Sequence, residues 1–404
     1  MIQQMTKKKW LAACVAGVLF SSVGWADSPV SGDAQQNEAL LLSSLNHISA
    51  NRVDDALKDL EKLTAQRPDF RLAQLIYADL LAAQAGGMRG VGQQGEFSGK
   101  QLEGLLSEAR ARLKIETDRP ENGTIPASLI KLSSAQTYAV VMDVERHRLF
   151  VFKNENGVPR LIKDYYASYG RGGVDKYRQG DLKTPLGVYF VTGRFSDAQL
   201  PPRYGSGALP INYPNVWDER EGRTGNGIWL HGSPFETYSR PPAASEGCIS
   251  LSNPDFVELD NLVNIKHTPV IVGKNIQWIS QDQWLAQQTE YEQLVEQWRV
   301  DWESKDSETY LGHYSQNYKN GDWDFDRFAA HKRRVNGNKQ YIDVDLSGLS
   351  LFRYPDRQGL MVATFEQDYK SNNYKGKSVK RQYWVLEDNR WKIAYEGAPS
   401  RGIP

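Results

Sequence analysis

Cysteine is nearly absent from the 404 residues: Cys14 and Cys248 are the only two. Cys14 falls within the predicted leader, so once that leader is gone Cys248 stands alone and an intrachain disulfide is excluded. In an oxidising exported environment a single thiol is a liability unless it is buried, crosslinks two chains or does chemistry. Long apolar runs are missing beyond the leader, which excludes a spanning helix in the mature chain, since a span needs about 20 consecutive apolar residues. An excess of charge is missing too: 49 Lys and Arg balance 49 Asp and Glu, and without Lys7, Lys8 and Lys9 the balance is about −3. No long basic block exists to neutralise phosphates, so nucleic acid is not an expected partner. Paired short spacings of metal ligands are also lacking, and a set built from His231, Glu246 and Cys248 falls short of the usual zinc pattern. No metal or other cofactor is expected.

What is present begins with Lys7 to Lys9, an apolar run from Trp10 to Phe20, and small residues ending at Ala26. This is the pattern of a secretory signal peptide over residues 1–26, and it predicts an exported, periplasmic protein of the cell envelope. Leu11-Ala12-Ala13-Cys14 reads like a lipoprotein cleavage site, but the apolar segment should precede such a cysteine, and here the charged stretch does.

At this length two or three domains are expected. Residues 27–130 read as a helical N-terminal domain. Leu57, Leu60 and Leu63, then Leu72, Leu75, Ile76 and Leu80, recur at helical spacing, and Arg67-Pro68-Asp69 breaks the run. One helical pair cannot bury its own face and needs a neighbour, either the rest of the core or, in a sharper reading, a protein partner or a second copy in a homodimer. Gly86, Gly87, Gly90, Gly92 and Gly95 mark a loop before a helix near Leu102 to Leu113. From Tyr138 the pattern changes. Ala139 to Met142 and Leu149 to Phe152 read as a hairpin, and further short strands are expected at 187–193, 227–231 and 269–273, giving a mostly β domain over 131–279. Residues 280–404 read as a separate α+β domain: a long helix over 282–302, a short one near 307–314, and strands at 360–367, 379–386 and 391–395. Its aromatic cluster, including Trp298, Trp302, Tyr310, Tyr314 and Trp384, reads better as core than as a ligand pocket. Of the histidines, His47, His147, His267, His313 and His331 have no recognisable partners.

The chemistry concentrates in two short motifs. Ile228 to Ser233 ends a β-like run at His231, and seventeen residues on stands Ser245-Glu246-Gly247-Cys248-Ile249-Ser250-Leu251. A neighbouring imidazole is the usual activator of a catalytic thiol. Gly247, without a side chain, lets a substrate and backbone N–H donors approach a carbonyl under attack. His231 must be held in one tautomer, and the Gly232 carbonyl is the candidate for that task.

These residues resemble the L,D-transpeptidase catalytic domain, which pairs a His-Gly motif with a Ser-His-Gly-Cys motif at closely similar spacing. Gly180-Asp181-Leu182-Lys183-Thr184-Pro185-Leu186-Gly187 is similar to the family's Gly-Asp-x-x-Thr-Pro-x-Gly segment. Asn212-Tyr213-Pro214-Asn215 and Gly222 to Gly227 are similar to the stretch leading into its histidine. The resemblance implies Cys248, His231 and Gly232 as catalytic residues, with Ser245, Glu246, Gly247, Ser250 and Tyr213 toward substrate. It also implies peptidoglycan stem peptides as the substrate: attack at the diaminopimelate–D-alanine bond, a Cys248 thioester, and resolution by an amine (transpeptidation) or by water (carboxypeptidase trimming). Two departures stand out. Glu246 replaces the family's second histidine, and Ser250 stands where many members carry an arginine able to hold a substrate carboxylate. The alternative they leave open is an inactive peptidoglycan-binding scaffold. The domain order, with a C-terminal segment similar to the nuclear-transport-factor-2-like fold, resembles the L,D-carboxypeptidases that determine cell shape in helical bacteria. The fold class expected is therefore multidomain α+β: helical domain, mostly β L,D-transpeptidase-like domain, nuclear-transport-factor-2-like domain.

Overall fold

The computed structural model describes residues 33–87, 90–92 and 98–399. The predicted leader, its Leu11–Cys14 motif and Gly95 lie outside them.

Among the described residues four helices come first, Asp33–Ser49, Val53–Gln66, Arg71–Gln84 and Gly99–Thr117. The break at Pro68 was marked in the sequence. The break near Asn51 was not, because Asn51 takes the left-handed backbone (φ 58°) with no Gly or Pro to announce it. Leu41, Ala56, Leu60, Leu63, Leu72, Leu75 and Leu80 form one buried cluster, and the neighbour that completes it is Tyr238, from a loop far along the chain. Phe70 and Tyr238 meet with ring centroids 4.5 Å apart. The Tyr238 N–H donates to the Asp69 carbonyl (3.1 Å), and the Leu72 N–H donates to Ser239 Oγ (2.9 Å). A buried ion network adds to the seam. Arg112 pairs with Glu108 (2.9 Å) and with Glu38, while Arg148 pairs with Glu38 (3.1 Å) and Asp164 (2.6 Å).

The next unit rests on a five-stranded sheet in the order Val158–Tyr166, Arg148–Glu155, Tyr138–Asp143, Pro269–Gly273, Gly187–Phe190. Tyr138–Asp143 and Arg148–Glu155 are the antiparallel hairpin expected from the sequence. Both faces of the inner part of this sheet are covered, which explains why Tyr138–Asp143, Pro269–Gly273 and Gly187–Phe190 are continuous apolar runs rather than alternating ones. Val140, Leu149 and Val270 pack on one side with Leu209, Leu230 and Ile249. Val141, Phe150 and Ile271 pack on the other with Phe352 and Tyr383 of the C-terminal unit. A second sheet, in the order Ile249–Ser250, Trp229–His231, Gly207–Pro210, Phe195–Ser196, carries the candidate site.

The C-terminal unit packs the helix Gln281–Glu303 onto a curled five-stranded sheet whose edge strand, Leu129–Lys131, comes from ahead of the middle unit. Two elements went unread in the sequence. Strand Ile342–Arg353 alternates outward Asp343 and Asp345 with inward Val344 and contains a bulge, so its apolar signal is diluted. Helix Phe325–Gly337 is basic and polar along most of its length and is capped by the Asp324 side chain. Trp298, Tyr310, Tyr314 and Trp384 are buried core residues, with Trp298 and Trp302 5.5 Å apart. His313 has a partner that the sequence did not reveal: Asp301, at 2.6 Å, on the facing helix. Among the described residues no helix is long and apolar enough to cross a membrane.

Candidate active site

Strand Trp229–His231 runs parallel to Ile249–Ser250, with Leu230 opposite Ile249 and His231 opposite Ser250. Alternation along a strand puts residues two apart on one face. His231 and Ser250 therefore share a face, and the same register carried one residue back brings Cys248 level with Trp229. The Trp229 N–H there favours the thiolate of Cys248. The thiol is 8% exposed and the imidazole 3%, and the thiol also faces the Gly227 carbonyl at 3.4 Å.

The tautomer of His231 follows from its neighbour. Nδ1 lies 2.5 Å from the Gly232 carbonyl oxygen, which can only accept, so Nδ1 carries the proton and Nε2 is left with a free lone pair. Ser250 Oγ donates to the same carbonyl (3.2 Å), fixing the acceptor that fixes the ring. Gly232 has no room for a side chain: a Cβ there would run into Asn253 Oδ1. Tyr204 stands edge-on to the imidazole at 5.0 Å.

The turn into Cys248 is held from within. Ser245 Oγ donates to the Cys248 carbonyl (2.6 Å) and accepts from the Gly247 N–H (3.2 Å). Gly247 has φ +121°, a conformation that penalises any side chain, and a Cβ would lie 2.8 Å from the Lys183 carbonyl oxygen. Thr184, at the heart of the Gly-Asp-x-x-Thr-Pro segment, donates to the Gly247 carbonyl (2.9 Å) and accepts from the Gly170 N–H (2.8 Å). Asp181 of the same segment pairs with Lys176 (2.6 Å) and accepts from the N–H groups of Tyr177, Arg178 and Lys183. Burial opposes its charge, but these donors outweigh the burial and hold its carboxyl well below the usual range.

The other residues flagged in the sequence are placed as follows. Glu246 is exposed and reaches Arg171 (3.2 Å) in the loop Gly170–Gly173, which therefore borders the site. Tyr213 is buried under the loops 176–184 and 222–227, with its hydroxyl donating to the carbonyls of Lys176 and Thr224 (3.3 Å each). It supports those loops, the second of which ends at Gly227, whose carbonyl faces the thiol. Sequence reasoning missed Arg240 and Arg203, whose charges act on both His231 and Cys248. No local pattern marks either one.

Burial raises the Cys248 thiol above its ordinary value, against the pull of the Trp229 N–H, Arg240 and Arg203, while Glu246 adds to the rise. Burial and the two arginines push the His231 imidazole down to about 3, with the Gly232 carbonyl opposing. The resting pair is therefore neutral thiol and neutral imidazole. Such a pair can deliver a thiolate only as the proton crosses to Nε2 during attack.

Comparison with known proteins finds two family models along the chain. Residues 137–272 match the family model of the L,D-transpeptidase catalytic domain, and residues 290–397 match that of the Cds6 C-terminal NTF2-like domain. The chain carries an L,D-transpeptidase catalytic domain followed by an NTF2-like domain. YafK of Escherichia coli (strain K12), a protein that bears the L,D-transpeptidase name, is 30% identical over 125 residues, which is 28% of this chain. The chain spans 45% of that curated relative's length. Among solved structures, Bd1075 of Bdellovibrio bacteriovorus is 29% identical with a TM-score of 0.62, covering 69% of this chain and 99% of that one. The helical cell shape determining protein Pgp2 of Campylobacter jejuni is 26% identical with a TM-score of 0.57, covering 67% and 95%. Both likenesses extend beyond the L,D-transpeptidase domain alone.

Proposed function

We propose that the protein is an exported, periplasmic cysteine acyl-transfer enzyme that cuts the diaminopimelate–D-alanine bond of peptidoglycan stem tetrapeptides. The observation that carries this reading is the placement of a buried thiol and an imidazole on adjacent parallel strands, with His231 Nδ1 held on the Gly232 carbonyl. His231 Nε2 takes the thiol proton as Cys248 Sγ bonds to the carbonyl carbon. Backbone donors around Gly247 and Cys248 steady the oxyanion, each worth roughly 2.7–4 kcal/mol of barrier. The C–N bond then breaks, the imidazolium proton passes to the amine, and D-alanine departs, leaving a thioester. Water, deprotonated by His231, resolves it to a tripeptide, or the amine of a neighbouring stem resolves it to a crosslink.

The likeness to a helical cell shape determining protein supports a role in shaping the wall. The test is mass spectrometry of muropeptides after incubation with the purified full chain. Loss of D-alanine or formation of new dimers is expected, and neither with the Cys248→Ala variant. Unchanged muropeptides with the wild-type chain overturn the reading.

A further inference from the structure

Arg240 sits in the loop between Tyr238 and the strand Ala243–Ser245, and its main chain is fixed from several directions. The Tyr166 hydroxyl donates to its carbonyl (2.7 Å), and the two residues before it are bonded to the N-terminal helices through the Tyr238 N–H on the Asp69 carbonyl and Ser239 Oγ on the Leu72 N–H. The flanking Pro241 carbonyl accepts from Ser168 Oγ (2.7 Å). The N-terminal helices and the catalytic unit thus hold this backbone together.

The side chain is treated differently. Nε is buried and has no hydrogen-bond partner, and among the described residues no carboxylate lies within ion-pair distance of the guanidinium. Other buried arginines are neutralised: Arg112, Arg148 and Arg223 each meet two carboxylates. Arg381, also without a carboxylate, is bonded to Thr364 and lies over Phe190, and the groups its charge acts on are tyrosines. Arg240 instead acts on His231 and Cys248. A half-buried cation whose buried Nε has no partner favours an anion beside it. The side chains around Cys248 offer none: the resting thiol is neutral, Ser250 is turned to the Gly232 carbonyl, and Glu246 is engaged with Arg171.

We propose that Arg240 is the anchor for the free terminal carboxylate of the peptide donor, so that the site reads a chain end rather than a chain interior. This deepens the reading of Cys248 as a nucleophile acting on stem peptides and rests on it. In such a donor the terminal carboxylate lies one residue beyond the scissile carbonyl, within about 3.8 Å of chain, so its anchor must stand beside the sulfur. A guanidinium suits the task because its planar fork meets a carboxylate with two parallel hydrogen bonds. Position 250, where the family often has an arginine, is served here from a different part of the chain.

The test compares a disaccharide tetrapeptide ending in D-alanine with the same peptide ending in D-alaninamide, on the full chain. Wild type favours the acid by roughly 10- to 100-fold in kcat/KM, the range expected for hydrogen bonds to a charged group. Arg240→Gln brings the ratio close to one, and Arg240→Lys keeps part of it. Both substrates are read on one preparation, so the ratio is insensitive to any misfolded fraction. A wild-type ratio near one, or a ratio unchanged in Arg240→Gln, overturns the proposal. A second arm measures calorimetric binding of the acid and the amide to Cys248→Ala with and without Arg240→Gln. Acid-selective binding lost with Arg240, in a chain whose wild type releases no D-alanine, keeps the anchor and removes the acyl-transfer reading. Turnover that ignores Arg240 does the reverse.

Discussion

Replacing Thr184 by Val tests how the Gly-Asp-x-x-Thr-Pro segment serves a site more than sixty residues away. Thr184 is 0% exposed, and its hydroxyl bridges the Gly170 N–H and the Gly247 carbonyl. Valine has nearly the same shape but neither donates nor accepts, so both backbone groups would be left buried and unpaired. Each such orphan costs about 1–3 kcal/mol, giving roughly 2–6 kcal/mol for the pair. At about 2–4 °C per kcal/mol for a unit of this size, the melting temperature should fall by at least about 4 °C. The Gly247 carbonyl belongs to the peptide that leads into Cys248, so turnover should fall further than stability alone explains, by on the order of 10- to 100-fold. Thr184→Ser, which retains the hydroxyl, should recover most of both. Scanning calorimetry and D-alanine release read the two effects. A Thr184→Val protein with unchanged melting temperature and turnover would refute the claim that this hydroxyl sets the nucleophile's loop.

Two further outcomes follow from the charges. The rate of Cys248 alkylation by iodoacetamide should climb with pH and show an apparent pKa above the ordinary thiol value of about 8.5, because burial disfavours the thiolate. A plateau reached near pH 6 would instead mean a preformed thiolate–imidazolium pair. Asp181→Asn should destabilise the chain at neutral pH, because the folded carboxyl is held below its ordinary value. Stability from a depressed carboxylate is present above the unfolded value of about 3.9 and is lost as pH falls through the folded one. The gap between wild type and variant, read from urea midpoints, should therefore shrink below about pH 4, and a gap that widens there would contradict the assignment.

Much of the site was legible because its chemistry is local. His231 with Gly232, and Cys248 after Gly247, are adjacent in sequence, and strand alternation carries each motif onto one face. The supporting parts were less legible. Ser245 and Ser250 looked like substrate contacts, yet their hydroxyls are spent on main-chain carbonyls that shape the turn and orient the histidine. Glu246 read as a residue toward substrate, and its ion pair with Arg171 depends on a loop 75 residues upstream. Arg240 was invisible because an arginine between Ser239 and Pro241 reads as an ordinary solvated loop residue. The N-terminal helices close over that loop through Tyr238, two residues away. The same contact supplied the neighbour that the helical pair needed, which no periodicity reveals. In the C-terminal unit, the alternating charges of Ile342–Arg353 concealed a strand whose inward residues are core.

The account depends on an acyl group passing through one sulfur atom. Acid quenching of the enzyme during turnover of a disaccharide tetrapeptide, followed by intact-mass and peptide mapping, looks for that species directly. The expected result is an adduct equal to the donor less D-alanine, confined to the peptide bearing Cys248, absent from Cys248→Ala and formed far more slowly in His231→Ala. D-alanine released with no adduct at any time point, or an adduct on another residue, would contradict it.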